Sequence, residues 1–186
     1  MTLRIVFSTV TAALLVSCAT PSLHAAPSCT AERSVYTLRG APDATLRLIE
    51  PPHALTAYSD LAAKVDYQGE TYWFAFTSSL GYSRNYVGRT SDPFEAARIE
   101  DQGGDPPDAY TQPEYNGSEI SFFNAGYDLA ENIPQSGDAP PAHILASGIS
   151  SAIWYSEPRR ELPKAMWDFH ACGEPIPPHE HGNGAR

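Results

Sequence analysis

The 186-residue chain carries 22 acidic residues against 12 lysines and arginines, which gives a formal net charge of −10 at pH 7. Nucleic-acid binding relies on clustered lysine and arginine, and no such cluster is present, so this composition excludes nucleic acid as an expected partner. The acidity favours a role in solubility over electrostatic attraction of a basic partner.

The first 25 residues have the pattern of a secretory signal segment. Arg4 precedes a 12-residue apolar run, Ile5–Val16, which is too short to cross a bilayer of roughly 30 Å as a helix. One interpretation is cleavage near residue 25. The other reads Leu15 to Cys18 as a bacterial lipobox, with 1–17 removed and Cys18 lipidated. Both predict export, either free in the periplasm or anchored by lipid to the outer membrane, with no other membrane contact.

The cysteines predict one disulfide under either interpretation. Cys18 is lost with the signal or lipidated, so Cys29 and Cys172 remain as a pair in an oxidising compartment. We therefore expect a single β-rich domain over residues 29–173, closed by a bond between its ends. The proline- and histidine-containing segment 174–186 is predicted to be a disordered tail.

Alternation of apolar and polar residues with a period of two predicts short strands along this domain. The predicted strands are Ser34–Arg39, Thr45–Ile49, Leu61–Tyr67, Thr71–Thr77, Tyr82–Val87, Ser118–Phe123, Gly148–Tyr155 and Ala165–Cys172. The last of them also fits a helix. Gln68 and Gly69 separate two of these runs and predict a β-hairpin.

One short helix is predicted after the hairpin region. Asp92 has the chemistry of an N-cap, Pro93 suits the first helical position, and Glu95 follows three residues after the cap. With one helix among many short strands, the chain is predicted to be mainly β, a single-domain sandwich or partly open barrel with a terminus-to-terminus disulfide.

The aromatic hairpin is the densest feature and supports two interpretations. In the first, Tyr72, Phe74 and Phe76 face the core, and Trp73 fills a crevice under a loop, as half-buried strands favour. In the second, the hairpin is an exposed platform that stacks on sugar rings or on a partner's side chains. The residues that would form this platform are Trp73, Tyr82, Arg84 and Tyr86.

Two acidic or histidine-containing segments are weak metal candidates. Asp101, Asp105 and Asp108 lie in a loop that could offer oxygens to calcium, but their spacing does not match an EF-hand, which favours a solvated loop. His179 and His181 could bind zinc or copper weakly, since they supply too few ligands for a structural site. We expect no cofactor.

The sequence contains no catalytic motif that would assign an active site. GxSxG, HExxH and a phosphate-binding glycine loop are absent, so no catalytic residue is predicted. The expected function is a non-catalytic binding or inhibitor-like module of the bacterial envelope, with an unknown protein or glycan partner. The alternative is a small periplasmic hydrolase that uses carboxylate or histidine chemistry. A cleft that joins a carboxylate to His143 would favour the enzyme, and an exposed aromatic face would favour binding.

Overall fold

A computed structural model describes residues 29–79, 84–107 and 117–174. Within them lie nine strands and two α-helices, preceded by a 3-10 turn at Ala31–Arg33. The strands are β1 (Ser34–Leu38), β2 (Ala41–Ile49), β3 (Ala62–Tyr67), β4 (Glu70–Ser78), β5 (Asn85–Thr90), β6 (Ser118–Phe123), β7 (Leu129–Ala130), β8 (His143–Leu145) and β9 (Met166–Cys172). The helices are α1 (Pro93–Asp101) and α2 (Ser147–Trp154).

The strands form one antiparallel sheet that closes on itself. Its order is β5-β4-β3-β2-β1-β9-β8-β6, and a further pairing between β5 and β6 joins the two edges into an eight-stranded barrel. The short strand β7 adds to β6 outside this ring. The predicted mainly β fold is confirmed, and of the two predicted architectures the structure has the barrel, in a closed form that leaves few unpaired edges.

Alternate side chains from every wall fill the barrel. Tyr36 lies opposite Leu46 in the β1–β2 ladder, Val65 lies opposite both Leu46 and Tyr72, and all four are buried. Trp167 of β9 completes this core at 1% exposure. Full burial of a large apolar side chain contributes roughly 1.5–3 kcal/mol, so this inner face provides the main stabilisation of the barrel.

The β3–β4 hairpin is confirmed at the predicted turn. Gln68 and Gly69 both adopt left-handed backbone conformations, with φ of 50° and 80°. A two-residue turn of this kind matches the twist of the strands that it joins, and glycine adopts it without a Cβ clash. The turn sets the register in which Val65 pairs with Tyr72.

Helix α1 is also confirmed, and it covers the outer face of the barrel next to β4. The Asp92 carboxylate accepts hydrogen bonds from the backbone N–H groups of Phe94 and Glu95, as an N-cap does. Phe94 packs on Trp73 with ring centroids 5.8 Å apart, and Ile49 completes this small cluster. Trp73 therefore belongs to a second apolar layer outside the barrel.

The predicted strand Gly148–Tyr155 is wrong, because most of this segment forms α2. Its β-branched residues favour a strand locally, but Ile149 and Ile153 stand four residues apart and both bury against the barrel core. A Cβ atom on Gly148 would lie 2.1 Å from the Cβ of Ser118. Glycine is therefore required where α2 begins against β6.

Strand β9 forms as predicted, but its two faces do not alternate throughout. The register with β1 shifts between Val35 and Tyr36, so that Ala171 and Phe169 face consecutive residues of β1. Phe169 is 37% exposed, whereas Trp167, two residues earlier, is 1% exposed. A bulge of this type turns one side chain away from the core. Strands β7 and β8 were not predicted, being two and three residues long.

The predicted disulfide is confirmed between Cys29 and Cys172, whose Cα atoms are 5.7 Å apart. Cys172 lies at the end of β9 and faces Ser34 of β1, so the bond ties the first described residues to the last strand. The predicted signal segment, including Cys18, and the tail from residue 175 onward lie outside the described residues.

Candidate functional site

A cleft opens at one end of the barrel, where β5 ends and α2 packs across β5 and β6. Its volume is about 720 Å³, within the range of small-molecule sites. We call it the Arg89 cleft. Its polar lining consists of Arg89, Thr90, Ser91, Ser118, Ser151 and Tyr155, and Phe74 and Val87 provide its apolar floor.

Arg89 stands on the inner face of β5 at the rim of the barrel. It pairs with Phe74, whose side chain is buried in the core, so both residues face inward. Tyr72 and Ser91 each lie one residue beyond the last pair of this ladder, Trp73 and Thr90, and both line the same depression as Arg89. The Arg89 guanidinium carbon lies 5.7 Å from the centroid of the Tyr72 ring, within the range of a cation–π contact.

Three polar groups at this rim, two buried hydroxyls and the exposed Arg89 guanidinium, have no hydrogen-bond partner in the part of the chain that the structure describes. The Tyr72 hydroxyl and the Ser91 Oγ are buried without one. Among the described residues, the Arg89 guanidinium makes no hydrogen bond or ion pair, only the contact with the Tyr72 ring. Leaving a buried hydroxyl unsatisfied costs about 1–3 kcal/mol, and proteins rarely leave such groups together without a reason.

A smaller cleft of about 370 Å³ adjoins the first and shares Arg89 and Ser91 with it. Its other charged residues are Lys64 and Asp92. Lys64 Nζ is 2.8 Å from Asp66 Oδ2, and Asp92 caps α1, so both are occupied. Among the described charged residues that line these two clefts, Arg89 alone has a side chain that neither forms an ion pair nor caps a helix.

Two exposed aromatic residues stand at the end of α2. Trp154 is 44% exposed and Tyr155 is 79% exposed. Tyr155 lines both the Arg89 cleft and a groove of about 440 Å³ that also includes Trp154, Glu161 and Lys164. We call Trp154 and Tyr155 the aromatic ridge. Tyr155 borders both depressions, and Trp154 borders the second.

A second polar cluster lies on the outer wall across β8, β9 and β1. We call its four residues, Arg39, Tyr127, His143 and Asp168, the wall cluster. Arg39 donates two hydrogen bonds to Asp168, at 2.5 and 2.9 Å, and a third to the Tyr127 hydroxyl at 2.7 Å. His143 Nδ1 is 2.6 Å from Asp168 Oδ1, and the Tyr127 ring stacks on the imidazole at 4.2 Å and 5°.

The wall cluster holds Asp168 as a carboxylate. The hydrogen bond from Arg39 keeps the pKa of Asp168 below its ordinary value, although partial burial acts in the opposite direction. An ionised carboxylate only accepts hydrogen bonds, so Nδ1 of His143 carries the proton in this contact. The arrangement orients the imidazole as an aspartate does in a hydrolase, but no serine, threonine or cysteine of the described residues forms a hydrogen bond with His143.

The residues predicted as a binding platform do not form one surface. Trp73 is 5% exposed and packs on Phe94, so the exposed-platform interpretation is wrong for this residue, because α1 covers it. Arg84 is exposed and Tyr86 is half-buried, and both lie at the beginning of β5, away from Arg89. Tyr82 lies outside the described residues.

The metal candidates are not brought together in the described ranges. Asp101 ends α1 and Asp105 follows it, and both are exposed. Asp108, His179 and His181 lie outside the part of the chain that is described. Within that part, no three His, Cys, Asp or Glu side chains are arranged to hold a metal ion.

Arg89, Tyr155 and Asp168 were not identified from the sequence. Arg89 interrupts an alternation in which Val87 faces inward, and a charged residue at an inward position of a strand end is a signal that could have located the rim. Trp154 and Tyr155 were assigned to a strand, which concealed that they end a helix. Asp168 gave no signal, since its partners are distant in sequence.

No protein-family model matches the chain, and comparisons with curated proteins and with solved structures found no match either. The described residues also include no helix with the length and apolar character needed to cross a membrane.

Proposed function

We propose that this protein is a non-catalytic binding module of the bacterial cell envelope, and that it binds its partner at the barrel end formed by the aromatic ridge and the Arg89 cleft. The observation that carries this proposal is the exposure of Trp154 and Tyr155 beside two depressions. Large aromatic side chains at the edge of a cleft provide apolar contact area with little loss of conformational freedom.

The chemistry of this end suits a protein or glycan partner. Tyrosine and tryptophan stack on sugar rings or on a partner's side chains, and the serine hydroxyls and Arg89 at the cleft add polar contacts that give orientation. The net charge of −10 makes nucleic acid an unsuitable partner. The proposal moves the binding surface from the predicted hairpin to α2.

Export is part of the proposal. The apolar run Ile5–Val16 supports a signal segment, and the disulfide between Cys29 and Cys172 is of the kind that persists in oxidising compartments. Whether the mature protein is free in the periplasm or anchored through Cys18 depends on the cleavage site, and mass spectrometry of the mature N-terminus distinguishes the two forms.

The test compares capture by immobilised protein of solubilised envelope components and of an arrayed glycan set. We expect the wild-type protein to retain a saturable partner, and the Tyr155→Ala variant to retain it at least tenfold less strongly. Leu129→Ala serves as a matched control, because Leu129 is an exposed apolar residue on β7, outside α2 and both depressions. Equal retention by wild type and Tyr155→Ala would overturn the proposal.

The contact between His143 and Asp168, at 2.6 Å, favours a second candidate function, a small periplasmic hydrolase. Against it, Tyr127 covers one face of the imidazole and Arg39 already engages Asp168. Hydrolysis of p-nitrophenyl acetate tests this candidate, with His53→Ala as the exposed-histidine control. Under the binding proposal, His143→Ala leaves the rate at the level of the control. A selective loss in His143→Ala would instead support the hydrolase.

A further inference from the structure

We infer that the rim shared by the Arg89 cleft and the smaller cleft beside it contains a subsite for a carboxylate group of the ligand, bound by Arg89, Tyr72 and Ser91. This inference rests on the proposed binding function and specifies the chemistry of what is bound. Its basis is the convergence of one arginine without an acceptor and two buried hydroxyls without partners on one rim of the barrel.

The strand register brings these three groups to the same place. Arg89 and Phe74 are paired on the inner face, and Tyr72 and Ser91 each lie one residue beyond the last pair of this ladder, toward the open end. The position of Arg89 next to the Tyr72 ring keeps the guanidinium near the Tyr72 side chain. An anion in this space would accept from the Arg89 guanidinium and from two buried hydroxyls that otherwise stay unsatisfied.

Burial makes the two hydroxyl donors more favourable for a ligand than equivalent surface groups, and the exposed Arg89 guanidinium adds the positive charge. Tyr72 is 4% exposed, and its hydroxyl cannot be satisfied by bulk water in the way that a surface hydroxyl is. The free energy that the protein loses by leaving such a group unpaired in the unliganded state is recovered when a ligand supplies the acceptor. The same donors would discriminate against a neutral ligand that offers no charged acceptor.

The local charge selects a monoanion. Arg89 provides one positive charge, and Lys64, which lines the neighbouring cleft, is paired with Asp66. The Asp92 carboxylate also lines that cleft, so a phosphate dianion would meet a negative group there without a second free cation. A carboxylate matches the bidentate geometry of a guanidinium and the single charge.

Tyr155 lines the Arg89 cleft, which meets the smaller cleft at Arg89 and Ser91, so the ligand that fits this place carries an apolar or ring-shaped portion next to its carboxylate. Two sources share this chemistry. One is a peptide with a C-terminal carboxylate, and the other is an acidic sugar.

The experiment measures binding of two matched pairs of probes by protein NMR titration. The first pair is N-acetylphenylalanine and its neutral amide, and the second is glucuronate and glucose. We expect the wild-type protein to bind the carboxylate member of at least one pair at least tenfold more tightly than the neutral member. A preference in the first pair indicates a peptide C-terminus, and a preference in the second indicates an acidic sugar. The Arg89→Gln variant should lose the preference.

The matched control is Arg84→Gln, which removes an equal charge from an exposed arginine that precedes the same strand. This control should keep the preference, since the two arginines lie about 16 Å apart along an extended strand. Tyr72→Phe provides a second variant that keeps the ring in the core, and it should weaken carboxylate binding by about threefold to tenfold without lowering stability. Absence of any carboxylate preference in the wild type, or its survival in Arg89→Gln, overturns the inference.

Failure of this inference differs from failure of the proposed function. If Tyr155→Ala abolishes partner capture while neither probe pair shows a carboxylate preference, the binding face stands and the carboxylate subsite does not. If the preference depends on Arg89 while Tyr155→Ala captures its partner normally, the subsite stands and the proposed face is wrong.

Discussion

The wall cluster and the Arg89 cleft both place an arginine over a tyrosine ring, at 6.0 Å for Arg39 and Tyr127 and at 5.7 Å for Arg89 and Tyr72. On the wall, Asp168 supplies the acceptors, and the tyrosine hydroxyl is itself an acceptor for the arginine. In the cleft, neither the arginine nor the tyrosine hydroxyl has a partner among the described residues.

This difference separates a structural polar cluster from a binding one. A group that is satisfied within the protein stabilises the fold and offers little to a ligand, because binding would require those hydrogen bonds to break. A buried polar group that is left without a partner lowers the stability of the folded protein, and a ligand that supplies the partner restores that free energy on binding. The wall cluster therefore holds strands together, and the Arg89 cleft is the better place for a ligand.

The largest expected effect on stability comes from removing the disulfide at β9, the strand that carries both Asp168 and Cys172. Replacing both cysteines, in the Cys29→Ala/Cys172→Ala variant, opens a loop with a sequence separation of 143 residues. Removal of a native disulfide typically lowers the free energy of unfolding by about 2–5 kcal/mol. Equilibrium urea unfolding measures it, and the wild type in reducing buffer should show the same loss. An unchanged midpoint would show that the bond does not stabilise the barrel.

A smaller loss is expected when the acceptor of the wall cluster is removed. Asp168→Ala leaves Arg39 and His143 without their shared carboxylate, and we expect a loss of about 1 kcal/mol, since the site is partly exposed and water screens it. Asp43→Ala replaces an exposed aspartate of β2 and should change the unfolding free energy by less than about 0.5 kcal/mol. Thermal and urea unfolding of both variants make the comparison. Equal effects would contradict a structural role for Asp168.

The pH dependence of the wall cluster follows from the same carboxylate. The hydrogen bond from Arg39 lowers the pKa of Asp168 in the folded protein, so its ionised form contributes stability at pH values above its ordinary pKa of about 3.9. That contribution is lost as the pH falls through the lower folded pKa. The facing groups are Arg39, His143 and Tyr127.

The measurement is the unfolding free energy of wild type minus that of Asp168→Asn, from pH 6 to pH 2.5. The difference should shrink only below about pH 4. Residue 168 of the variant cannot titrate, and the contributions of the other carboxyl groups are the same in both proteins and largely cancel in the difference. A difference that stays constant across this range would show that Arg39 does not hold the carboxylate in its charged form.

The smallest expected effect is a gain in stability, and it concerns the two unpartnered hydroxyls at the rim of the cleft. Tyr72→Phe and Ser91→Ala each remove a buried hydroxyl that has no partner, so each should leave stability unchanged or raise it by up to about 1 kcal/mol. Tyr36→Phe is the matched control, because the Tyr36 hydroxyl donates to the carbonyl oxygen of Pro141 at 3.0 Å. Its removal should lower stability by about 1 kcal/mol. A comparable loss in Tyr72→Phe would show that the Tyr72 hydroxyl is satisfied in the folded protein.

Much of the fold could be predicted because its signals are local. The turn at Gln68 and Gly69 and the N-cap at Asp92 were both confirmed, since each depends on residues within a few positions of one another. The disulfide was also confirmed, because counting cysteines left a single pair once Cys18 was assigned to the predicted signal segment. Helix α2 was assigned wrongly, because its β-branched residues favour a strand until the barrel end offers a surface on which Ile149 and Ile153 can bury together.

The candidate site could not be predicted, since it depends on which side chains the barrel leaves without partners. The local sequence does not distinguish Arg39 from Arg89. Arg39 directly follows β1, and Arg89 is the second-last residue of β5. What separates them is that Asp168 of β9 forms an ion pair with Arg39, whereas no carboxylate forms an ion pair with Arg89 in the described residues.

The sequence by itself determined the mainly β class, the hairpin, the first helix and the terminus-to-terminus disulfide, because local periodicity, turn chemistry and cysteine number carry that information. Only the tertiary structure decided that the sheet closes through β5 and β6, that Trp73 is covered by α1, and that Tyr155 stays exposed. These outcomes depend on contacts between residues far apart in the chain. The same closure brings Tyr72, Arg89 and Ser91 to one rim, where their unsatisfied donors define the proposed site.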